Sequence, residues 1–80
     1  MSAMDAQGIS REDVVDLLSA SLGTVKAEHA VRAAATALQL GDSFPLDQAL
    51  ALLDKIAMEP GIVGITARFA RTRAVLRWTP

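Results

Sequence analysis

The residues able to do chemistry in this 80-residue chain are few and scattered. Its single histidine, His29, follows Glu28. Adjacent positions on a helix point about 100° apart, so the two form no compact acid–base or ligand pair, and a solvated His29 is the expectation. Asp13 and Asp16 stand at i, i+3 and could hold a cation weakly, but with Glu12 they fit better as acids complementing the positive N-terminus of a helix. Ser10, Ser19, Ser21 and Ser43 lack a recognisable base or oxyanion context, and tyrosine is absent. The absence of cysteine removes thiolate chemistry, disulfides and most structural zinc sites. These residues predict a non-enzyme with no catalytic group, no metal site, no cofactor and no evident small-molecule substrate.

Two spacing patterns remain. Gly61-Ile62-Val63-Gly64 has the GXXG spacing that clamps nucleic-acid backbones, but its central pair is apolar where polar or basic residues are expected. The structural reading is that Gly61 eases a tight turn after Pro60 and Gly64 allows close helix contact. Ile56, Ala57, Gly61 and Ile62 have the spacing of a helix-turn-helix, and Thr66, Arg68, Arg71 and Arg73 follow where phosphates or guanine edges would be met. Against it stand Pro60 in the turn, Val63 where a small polar residue would begin the second helix, and a formal charge of −1 with a pI near 5.6. A small DNA-binding regulator is therefore the alternative function.

The charge distribution is more informative than either pattern. All nine acids precede Gly61 with only four basic residues among them, whereas Arg68, Arg71, Arg73 and Arg77 follow it with no acid. The near-neutral total divides into −5 and +4, a dipolar chain whose basic end needs an anionic counterpart. Some of these arginines are expected to pair with Asp16, Asp47, Asp54 or Glu59 of neighbouring helices, each exposed pair contributing ~0–1 kcal/mol. A basic amphipathic helix with Phe69 and Trp78 also suits an anionic membrane surface, but Thr72 interrupts its stripe, and this reading is disfavoured. No run of ~18–20 apolar residues spans a membrane and residues 1–10 do not read as a secretory signal, so a cytoplasmic location is expected. Arginine in excess of lysine with abundant alanine suggests a GC-rich bacterial source.

The elements that must position these residues follow from periodicity. Residues 1 to 9 show none and read as a flexible tail, leaving residues 10–80 as a single helical domain. Ser10 fits an N-cap with Asp13 as a capping-box variant, and Val14, Leu18 and Leu22, widened by Val15 and Leu17, form the buried stripe of a first helix that Gly23 stops. Thr24 is expected to cap a second helix with Ala27, Ala30, Val31, Ala34, Ala37 and Leu38 on one face, ending at Gly41 as a left-handed cap. Phe44 plugs the core in the following turn. A third helix from about Pro45 carries Leu46, Ala49, Leu50, Leu53, Ile56 and Ala57 and ends before Glu59-Pro60-Gly61. The expected fold is all-α, a small bundle of about four short helices with short turns.

The last segment, Gly61 to Trp78, reads as a helix in preference to a strand, because a lone strand after three helices would lack a partner in the chain. As a helix it carries two apolar strips roughly 120° apart: Ile62, Ile65, Phe69 and Leu76 on one, Val63, Ala67, Ala70 and Ala74 on the other. One strip serves the core and the other needs a partner. The small residues would admit a second helix closely, so the expected partner-binding residues are Val63, Ala67, Arg68, Ala70, Arg71, Ala74 and Trp78. The chain is thus expected to be a protein-interaction module, either a homo-oligomer or a docking or adaptor domain of a larger bacterial assembly or signalling system.

Overall fold

The computed structural model describes residues 8–79. It is a small all-α bundle of four helices, α1 (Arg11–Leu22), α2 (Thr24–Leu38), α3 (Leu46–Ile56) and α4 (Ile62–Trp78), with two-residue strands β1 (Ile9–Ser10) and β2 (Ser43–Phe44). The last segment is helical through Trp78, as expected. The main contacts run α1 to α2, α2 to α3, α3 to α4 and α4 back to α1, closing a ring around one core.

Local chemistry sets the boundaries. The Ser10 hydroxyl accepts from the Asp13 amide at 3.0 Å while the Ser10 amide donates to Asp13 Oδ2 at 2.9 Å, a complete capping box that starts α1. Gly23, at φ 82° and ψ 156°, occupies a region open in practice to glycine alone and turns the chain directly from α1 into α2. Gly23 is itself the N-cap of α2, so Thr24 is the first helical residue and its side chain makes no cap bond. This departs from the expected Thr24 cap because a one-residue connection leaves no room for a second cap.

The end of α2 also differs from expectation. The left-handed residue is Gln39, at φ 59° and ψ 39°, not Gly41. The Gln39 amide donates to the Thr36 carbonyl at 3.1 Å and the Leu40 amide to the Ala35 carbonyl at 2.9 Å, a Schellman ending that swings half-buried Leu40 onto the core. The freed carbonyls of Leu40 and Gly41 accept from the Arg11 guanidinium at 2.7 and 3.0 Å, tying this turn to the start of α1. Residues 1–7 of the expected tail lie outside the described residues, but Ile9 is part of the domain. It is buried and pairs antiparallel with Phe44, with Ser10 opposite Ser43.

Val14, Leu17 and Leu18 of α1, Val31 of α2, Phe44, and Leu52, Leu53 and Ile56 of α3 fill the centre. Helix α2 contributes mainly alanines: Ala27, Ala34 and Ala35 are buried, whereas Ala37 and Leu38, placed on its inner face by periodicity, are exposed. Ala35 is buried instead, on a helix whose principal neighbour is α1. Helix α4 enters through Gly61, at φ 76° and ψ −152°, and lies against the bundle through Gly64, Ala67, Ala70 and Ala74. A Cβ on Gly64 would overlap the Glu59 carbonyl oxygen and stand 2.9 Å from that of Ala57, so glycine lets α4 pass close to the preceding turn.

Candidate functional site

The two strips of α4 are disposed oppositely to the sequence expectation. Ala67, Ala70 and Ala74 are fully buried against the domain's own core and Val63 and Trp78 pack against that core, so these partner-binding candidates are internal or half-buried contacts. The large residues stand outside, with Ile62 57%, Ile65 51%, Phe69 68% and Leu76 79% exposed. Small side chains let helix axes approach to the short end of the usual 8–10 Å range, and the dispersion gained along a close seam compensates for the little area each alanine buries. Of the expected set only Arg68 and Arg71 remain at the surface without core contacts.

The exposed residues have a definite geometry. Ile62, Ile65, Phe69, Thr72 and Leu76 occur at intervals of three, four, three and four, the a and d positions of two heptads. Over α4 they form a seam about 21 Å long at 1.5 Å per residue. Arg68 and half-buried Val75 take the flanking g positions and Arg73 a flanking e position; Thr66, the other e position within the helix, is buried. Thr72 is the one polar member of the seam. Periodicity could have revealed this heptad, but it could not say that the heptad faces outward.

The arginines divide into two groups. Arg71 Nε lies 2.8 Å from Asp54 Oδ1 on α3, the single ion pair among the described residues. Both partners are about half exposed, so the pair is worth ~0–1 kcal/mol and mainly orients α4 on α3. Arg68, Arg73 and Arg77 are exposed, and Arg68 and Arg73 border the apolar seam from its two sides. A DNA-reading helix inserts polar residues of its N-terminal turns into the groove, whereas α4 turns Ile62, Ile65 and Phe69 outward there.

A concavity of ≈ 490 Å³ opens between α2 and the corner joining α3 to α4. Its walls are Val25, Ala30, Ala33, Ile56 and Val63, with Lys26, His29, Lys55 and Glu59 around them. It exists because α2 presents alanines where longer side chains would close the gap. His29 is exposed here, as expected, and Glu28 lines the opposite side of α2. Val63 lines this groove while its neighbour Ile62 begins the outer seam of α4. Among the described residues no group of three His, Cys, Asp or Glu side chains is placed to share a metal ion, and no helix is long and apolar enough to cross a membrane.

Compared with known proteins, the chain matches no family model, no curated protein and no solved structure. Its functional reading therefore rests on this surface geometry.

Proposed function

We propose that the protein is a non-enzymatic interaction module that docks a protein partner through the outer seam of α4. The single observation behind this reading is the exposure of Ile62, Ile65, Phe69 and Leu76 along one helical stripe. Isolated exposed apolar residues need no explanation on a small protein, but a contiguous stripe of large ones is characteristic of an interaction surface. Fully burying such a side chain contributes about 1.5–3 kcal/mol, so covering the four exposed portions offers roughly 4–8 kcal/mol before ordering costs. Aromatic and arginine side chains, represented here by Phe69 with Arg68 and Arg73, are enriched among residues that carry binding energy.

The test places a photoreactive phenylalanine analogue at position 69 and, as a control, at exposed Ala20 on α1. Irradiation in the native cell type is expected to yield one dominant adduct from position 69, either with a second copy or with another protein, and none from position 20. Equal or absent crosslinking at the two positions would overturn the docking role.

A further inference from the structure

Resting on the docking role above, we infer that the α4 seam is built for an acidic amphipathic helix of another protein rather than for a second copy of itself. The residues flanking the seam decide between these occupants. In a parallel pair of helices a g residue faces the e residue five positions later on the partner, so two copies of α4 would set Arg68 against Arg73. In an antiparallel pair g faces g and e faces e, so one register sets Arg68 against Arg68 and the next sets Arg68 against Val75 and Arg73 against Thr66. Neither orientation offers either arginine an acid, because none occurs from Gly61 to Pro80. A partner helix with Glu or Asp at its own e and g positions gives each arginine the ion pair that a second α4 does not supply. Rim charges of this kind select the partner even where they add little net affinity.

The apolar part of the seam sets the rest of the partner's chemistry. A stripe confined to a and d positions is the narrow seam of a helix pair, whereas a helix resting on lipid presents a broader apolar face. The single Thr72 between Phe69 and Leu76 would be matched by a small or polar residue at the facing position. About four turns of partner helix cover the ~21 Å from Ile62 to Leu76. Arg71 is held by Asp54 on α3 and takes no part in the recognition.

The test uses the full chain and three labelled synthetic helices of about three heptads. One has Leu at a and d with Glu at e and g, a second replaces those Glu with Lys, and a third scrambles the Leu positions of the first. Fluorescence anisotropy is expected to show binding of the first peptide alone, weakened by salt and weakened at least about tenfold by Phe69→Ala. The Arg68→Glu/Arg73→Glu variant is expected to exchange preference and bind the Lys peptide instead. All three altered positions are exposed, and circular dichroism checks that the variants remain helical.

Equal binding of the Glu and Lys peptides, or binding of the scrambled one, would overturn the inference. So would a wild-type dimer in sedimentation that Phe69→Ala dissolves, although crosslinking at position 69 would then still uphold docking. Phe69-dependent binding to vesicles containing phosphatidylserine, with no peptide bound, would assign the seam to a lipid surface. Failure of every arm together with no adduct at position 69 would remove the docking role as well.

Discussion

Replacing Phe69 with Ala, and separately Ala70 with Leu, reverses the effects ordinarily expected of these two residue types. Phe69 is 68% exposed, so only about a third of its burial stabilisation is at stake, roughly 0.5–1 kcal/mol of the 1.5–3 kcal/mol for a fully buried ring. Alanine's better helix propensity returns up to ~0.7 kcal/mol, leaving Phe69→Ala close to neutral. A core phenylalanine would lose about 3–5 kcal/mol on the same change. Ala70 is fully buried between helices, and forcing a larger side chain into that space costs about 1–3 kcal/mol. Urea unfolding followed by far-ultraviolet circular dichroism and by Trp78 fluorescence measures both. With an m value near ~1 kcal/mol/M, Ala70→Leu should lower the midpoint by roughly 1–3 M at unchanged slope, while Phe69→Ala moves it by less than ~1 M. A loss of about 3 kcal/mol for Phe69→Ala, or an unchanged midpoint for Ala70→Leu, would mean that the small strip is not the inner face.

Three further outcomes follow from local geometry. Ser10→Ala removes the hydroxyl that accepts from the Asp13 amide and should destabilise the domain by about 0.5–2 kcal/mol in the same urea assay, with the loss concentrated at the start of α1 by hydrogen exchange. Gly64→Ala would gain about 0.5–1 kcal/mol from helix propensity in open space, but the new Cβ meets backbone oxygens of Glu59 and Ala57. The overlap should reverse the sign to a net loss of at least about 1 kcal/mol, and a raised melting temperature would show that α4 does not pass so close to that turn. Arg71→Ala breaks a half-exposed pair with Asp54, so it should cost less than ~1 kcal/mol, and that difference should shrink at high salt.

Much of the helical framework could be read locally because its signals act over one turn of chain. Ser10 with Asp13, the glycine at 23, and the Pro60-Gly61 pair each limit the backbone within a few residues of themselves. Phe44 was legible as a core residue from its place in a polar turn, and α3 from a stripe that includes Ala49, Leu53 and Ile56, with fully buried Leu52 added beside it. The pairing of Ile9 with Phe44 was not legible, because it joins residues far apart in the chain through only two positions each. The left-handed turn at Gln39 was hidden behind Gly41, since glycine is the usual choice and a non-glycine ending depends on where Leu40 must go.

By itself the sequence determined an all-α chain of four helices, their approximate limits, a basic C-terminal helix with two apolar strips, and an acidic remainder. Only the tertiary structure decided which strip faces inward. Hydropathy favours burying Ile62, Ile65, Phe69 and Leu76, but the face of α4 that lies against α1 and α3 is the one carrying Gly64, Ala67, Ala70 and Ala74. Whether a close-packed seam of small side chains outweighs a larger area of bulky ones depends on the separation of the neighbouring helices, a quantity that the spacing of residues along one helix does not contain.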